Sequence, residues 1–211
     1  YKNFFSSTLG SSTLHLSAFI DTWLASFLIS GSISYLYYAN RIFQLPLAIF
    51  AIATSIALFP MIAKAIKNKD ESRALHLMKK SSLILFAVLS TSMLIGIVFN
   101  EFIVKLLFER GAFNSVDTQN TALILTMYLM GLLPFGLAKI FSLWLYANEQ
   151  QYLSAKISMK SLAWNIVFSL ILIKPYGAAG LAFASTLSGF ILFFLTIKAF
   201  GFNKFITMYK K

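Results

Sequence analysis

"GSISYLYYANRIFQLPLAIFAIATSIALFP" occupies residues 31–60 and contains one charged residue, Arg41. A helix needs about 20 apolar residues to cross a hydrocarbon core of about 30 Å, and this run exceeds that. An arginine stays protonated wherever the fold places it. The segment therefore reads as a membrane-spanning helix that carries a permanent cation near its centre, flanked by Asn40 and Gln44.

The rest of the chain has the same character. Of its 211 residues 58% are hydrophobic and only 12% charged, about half the ~25% usual in soluble domains. A soluble fold of this size has no interior large enough to hide that much apolar surface. Six apolar segments, about 8–30, 33–60, 80–107, 119–146, 156–174 and 177–199, are expected to span the membrane as one all-α domain over 1–211. "SGS" (30–32) reads as a tight turn, "KAIKNKDESRALHLMKK" (64–80) as the one long polar connection, and "KPYGAAG" (174–180) as a helix boundary with its Pro and Gly. The chain opens on Tyr1, with no basic, apolar and small-residue leader pattern. The expectation is a piece of a longer protein.

Charge sets the orientation. The net charge is +11, and the basic residues lie mostly between apolar segments, which reads as topology and contact with anionic lipid rather than nucleic acid. Lys64, Lys67, Lys69, Arg73, Lys79 and Lys80 share the 64–80 connection; Lys156 and Lys160 follow the 147–156 turn; Lys198, Lys204, Lys210 and Lys211 close the chain. These regions alternate with less basic ones, so they and both ends of the chain are expected on the cytoplasmic side. Cysteine is absent, His15 and His76 are isolated, and no Ser–His–Asp set, HExxH or Walker loop occurs. Nothing clusters as an enzyme site.

Intramembrane polar residues are then the candidates for function, because each charge costs about 2.5–3.5 kcal/mol on insertion scales. Asp21 and Arg41 each lie about ten residues from the Gly31–Ser32 turn on antiparallel neighbours, hence at matching depth near the midplane. Two readings stay open: a structural ion pair, or two groups facing an aqueous pathway. Tyr37, Arg41 and Gln44 form a polar and aromatic stripe at helical spacing. Ser158, Ser161, Asn165 and Ser169 share a face of the fifth segment, and Ser185, Thr186 and Ser188 lie on the sixth. With one carboxylate, such oxygens suit a hard cation such as Na⁺; they equally suit ordinary helix contacts in lipid. Lys139 either snorkels or faces the cavity.

The 31–60 block resembles the MurJ family, also called MviN, flippases for the undecaprenyl-linked peptidoglycan precursor lipid II. "DTWLASFL" (21–28), "LLFERGAF" (106–113) and "GLLPFGLAKIFSLWLYA" (131–147) look like the same family in the same order. The resemblance implies the second lobe of a two-lobe transporter of the multidrug/oligosaccharidyl-lipid/polysaccharide exporter superfamily, without its N-terminal lobe. It implies an activity, moving lipid II from the cytoplasmic to the periplasmic leaflet of the bacterial inner membrane by alternating access; the alternative is a related exporter of other polyprenyl-linked glycans or drugs. Under the resemblance, Arg41 faces the lipid pyrophosphate, with Asn40, Gln44 and Lys139 beside the substrate, while Asp21, Asn165 and Thr186 match a sodium site found in some members. Many members have Asp before the arginine and Glu three residues after it. This chain has Asn40 and Gln44, which leaves Arg41 in a more cationic setting.

Overall fold

The computed structural model describes residues 19–210, which are helical throughout apart from short turns. Residues 8–18 of the expected first span, 8–30, lie outside the described residues; the rest appears as helix α1 over 19–25 followed by a turn. The chain turns at Gly31, whose φ of 94° is the left-handed conformation glycine adopts freely. Helix α2 (Ser32–Pro46) runs on through a π-helical segment (Leu47–Ile52) into α3 (Ala53–Lys67), giving one rod of 36 residues. Pro46 has no N–H and its ring crowds the carbonyl one turn back. The wider π-helical turn follows directly after it, a common site for such an adjustment.

The 64–80 region departs from the expected long connection. Helix α3 continues to Lys67, a turn at Asn68, Lys69 and Asp70 reverses the chain, and α4 begins at Glu71 (Glu71–Val98). Lys69 takes a left-handed φ of 59°, and the Asp70 carboxylate caps α4 by accepting from the Arg73 N–H at 3.0 Å. Its Lys, Arg, Glu, Ala and Leu are strong helix formers, so polar character here marks the ends of two helices.

Phe99 interrupts the next span, separating α4 from α5 (Asn100–Phe108). Helix α6 (Ser115–Leu129) starts with a capping box between Asn114 and Asp117. Asp117 also accepts from the Tyr35 hydroxyl at 2.6 Å, which pins the start of α2 to the start of α6. After a break at Met130–Gly131, α7 (Leu132–Ala147) continues the same path. Phe141, Ile140, Leu132 and Leu145 of α7 are almost fully buried, so this helix forms the middle of the bundle. Gly136 sits where a Cβ would overlap the Leu89 side chain and touch Ala51 at 3.5 Å. Small residues give close backbone approach between helices in lipid.

Helix α8 (Gln151–Phe200) is a hairpin rather than a 50-residue rod. Gly177, at φ 54° and ψ −133°, breaks it. The two limbs then pack antiparallel, with Ser161 Oγ donating to the Ser188 carbonyl at 2.8 Å. A Cβ on Gly180 would overlap the Leu172 carbonyl, so only glycine permits this approach of the limbs. Four helical stretches, 32–67, 71–98, 115–147 and 151–200, are long and apolar enough to cross a membrane, the last of them folded back on itself.

A short amphipathic helix, α9 (Phe202–Lys210), follows Gly201. Lys204 pairs with Glu71 at 2.7 Å and lies 4.5 Å from the Trp144 ring centroid; the Tyr209 and Ser82 hydroxyls are 2.6 Å apart. These contacts tie the end of the chain to α4 and α7.

Candidate functional site

Asp21 projects from α1 into the α8 hairpin and is only 8% exposed. Ser185 donates to its Oδ2 at 3.2 Å, and Ser169 lies at 3.5 Å from Oδ1. Asn165 Nδ2 donates to Ser185 Oγ at 3.2 Å. The spacing of Asn165 and Ser169 puts both on one face of the first limb. The hairpin register brings Ser185 opposite them from the second. All three α8 residues lie at the helix contact, with Asn165 and Ser169 almost wholly buried.

Thr186 takes a different direction. Its hydroxyl donates to the Met127 carbonyl at 2.6 Å, in the packing between α6 and α8. The second limb therefore offers Asp21 a neighbouring residue, Ser185. One residue is about 100° of helical rotation, enough to move a side chain from one contact to the next. Nothing short of the hairpin register distinguishes the two in sequence.

Arg41 lies on the exposed face of α2, opposite the buried Ala39, Ile42 and Phe43. Its Nη2 donates to the Tyr37 hydroxyl at 2.9 Å, and its Cζ lies 4.8 Å from that ring's centroid. The stripe anticipated from spacing is thus a physical contact: Tyr37 steadies the guanidinium through both its ring and its oxygen. One turn on, Gln44 Nε2 donates to Asn40 Oδ1. Lys139 on α7 is half-buried and makes no hydrogen bond or ion pair with another described residue.

Asp21 and Arg41 do not pair. The acid turns to Ser169 and Ser185, the base to Tyr37. The ion pairs among the described residues are Lys105–Glu109 and Lys204–Glu71, both at the ends of spans. Matching depth on neighbouring helices therefore did not become a structural bridge.

These arrangements have distinct chemistry. A guanidinium with one N–H committed to Tyr37 keeps others in a planar fork suited to phosphate oxygens. The Asp21 cluster supplies one carboxylate and two hydroxyl oxygens, with the Asn165 amide nitrogen donating to one of those hydroxyls. Such a hard, singly charged oxygen set fits a monovalent cation better than a divalent one. No group of three or more His, Cys, Asp or Glu able to hold a metal occurs among the described residues.

Comparison with known proteins gives the family and the fold. The family model for lipid II flippase MurJ matches residues 1–210. A probable lipid II flippase MurJ of Helicobacter pylori is 52% identical over the whole chain, which covers 46% of that protein. A solved structure of lipid II flippase MurJ in an inward closed conformation superposes with a TM-score of 0.82 at 25% identity, covering 95% of this chain and 45% of that one. A transporter of the MOP superfamily from Pyrococcus furiosus superposes equally well, at 0.83, but with 15% identity, and so shows the shared fold alone. The chain spans about half the length of the relatives it matches.

Proposed function

The chain belongs to the MurJ family of lipid II flippases, and on that premise we propose that it forms one lobe of a protein that carries lipid II across the bacterial cytoplasmic membrane. This family transports; it is not catalytic. The observation that carries the reading is Arg41, the one charge in the apolar stretch 31–60 of a long membrane helix, held in place by Tyr37 and turned to the outer face of the lobe. A cation is costly at that depth, and an anionic headgroup gives it a partner.

In this reading Arg41 binds the pyrophosphate, and Asn40 and Gln44 offer uncharged hydrogen bonds beside it. Lys139 adds positive charge from α7. A second lobe of the same protein closes the other side of the cavity, and rocking of the lobes exposes the site to each leaflet in turn. The basic connections and the C-terminal end of this segment lie on the cytoplasmic side.

The Asp21 cluster is proposed to hold Na⁺ as the coupling ion, with Asp21, Ser169 and Ser185 as its oxygen donors and Asn165 holding Ser185 in place through its amide N–H. Sodium would supply only a positive charge that draws α1 and the two limbs of α8 together. Asp21→Asn in the full-length protein is therefore expected to remove the rise in thermal stability that NaCl gives over choline chloride. An unchanged rise in the variant would place the ion elsewhere.

The matched family argues against an exporter of drugs or other glycans. The decisive genetic test is rescue of a strain depleted of its lipid II flippase by the full-length protein. Rescued growth supports the proposal; failure despite normal membrane expression contradicts it.

A further inference from the structure

We propose that Tyr37 is a positioning residue for substrate binding: it holds the Arg41 guanidinium in one orientation and leaves its charge free for the pyrophosphate. This rests on the transport reading above and deepens it by naming what prepares the binding cation.

An arginine side chain has many rotamers, and an unrestrained one gives up that freedom when it binds an anion. Arg41 lies on the exposed face of α2, where packing does not fix it. Tyr37, one turn toward Gly31, supplies two contacts. Its hydroxyl accepts from Arg41 Nη2 at 2.9 Å, and Arg41 Cζ lies 4.8 Å from its ring centroid. Together they draw the guanidinium back along α2 toward its N-terminal end, the direction in which helical side chains lean.

Tyr37 is itself 54% exposed, so burial does not set its place either. Its ring meets the Tyr38 ring edge to face, with centroids 5.9 Å apart and planes at 74°. Tyr38 is half-buried, and its ring centroid lies 4.5 Å from that of Phe108 and 5.5 Å from that of Phe113. Phe108 ends α5, and Phe113 lies in the loop before α6. Aromatic pairs at these separations are attractive. The "LLFERGAF" stretch (106–113) thus steadies Tyr38, Tyr38 steadies Tyr37, and Tyr37 steadies Arg41.

The chemistry of the partner matters as much as its place. A carboxylate beside Arg41 would offset its charge and compete with phosphate oxygens. A phenol accepts one N–H and offers the negative face of its ring, and the guanidinium keeps its full charge. Asn40 and Gln44 are hydrogen-bonded to each other, and both ion pairs among the described residues lie elsewhere. Arg41 is therefore ordered without being neutralised.

The test is binding of lipid II to the full-length protein in nanodiscs, for wild type, Tyr37→Phe, Tyr37→Leu, Arg41→Ala and the double variant Tyr37→Leu with Arg41→Ala. Thermal unfolding reports whether each is folded, and the exposure of Tyr37 predicts little change. Tyr37→Leu is expected to weaken binding by about 3- to 10-fold, the scale of ordering one rotamer-rich side chain. Tyr37→Phe keeps the ring and loses the oxygen, so it should fall between Tyr37→Leu and wild type. With Arg41→Ala already in place, Tyr37→Leu is expected to change affinity by less than about two-fold, because Tyr37 acts through the guanidinium. Wild-type affinity in Tyr37→Leu overturns the inference. An equal loss with and without Arg41 also overturns it, since Tyr37 would then act independently of the cation. A wild type that binds no lipid II brings down the transport reading itself, and the inference with it.

Discussion

Arg41→Ala in the full-length protein is expected to weaken lipid II binding by about 10- to 150-fold. A hydrogen bond to a charged group contributes about 1.5–3 kcal/mol, and about 1.4 kcal/mol is a factor of ten. Thermal stability should barely change, because the guanidinium is exposed and its hydrogen bond is to Tyr37, one turn away on the same helix. Arg41→Lys should fall between the two, since it keeps the charge but loses the planar fork. Titration of the purified variants with lipid II separates these outcomes. Wild-type affinity in Arg41→Ala would remove the guanidinium from the substrate site.

Gly180→Val is expected to be the most damaging single change in the described residues. A Cβ at this position meets the Leu172 carbonyl, which is backbone and has no rotamer to move. Overpacking of this kind costs about 1–3 kcal/mol and more where the backbone must shift. The limbs of α8 must separate, which withdraws Ser185 from Asn165 and Asp21. The variant should unfold at lower temperature and also lose stabilisation by Na⁺. Gly177→Ala is the control: it strains a positive φ at the hairpin break but has open space around it. It should destabilise without abolishing the sodium effect. Retention of that effect in Gly180→Val would show that the hairpin register does not build the cluster.

The part of this architecture that composition and length govern was legible in the amino-acid sequence. Long apolar runs became long helices, and the Pro and Gly near residues 175–180 marked the turn within α8. Asp21 and Asn165 stood out because polar groups in apolar segments are costly, and the structure brings both into one buried cluster. Tyr37 stood four residues from Arg41, and that spacing predicts contact on a helix.

What depends on rotation about helix axes was hidden. Residue counting gives depth, so Asp21 and Arg41 could be placed level with each other. It gives no azimuth, and the two side chains leave their helices toward different partners. The same gap separates Ser185 from Thr186. The 64–80 region misled because charge density suggests a loop, although its residues favour helix.

The central claim, that Arg41 belongs to a site that carries lipid II across the membrane, is tested most directly by following lipid II between leaflets. The full-length protein is reconstituted in sealed vesicles with lipid II on one side. A membrane-impermeant reagent then reports how much headgroup reaches the other side. The account predicts transfer well above protein-free vesicles with wild type and near that background with Arg41→Ala. Equal transfer by the two proteins, or none above background by wild type, would contradict it.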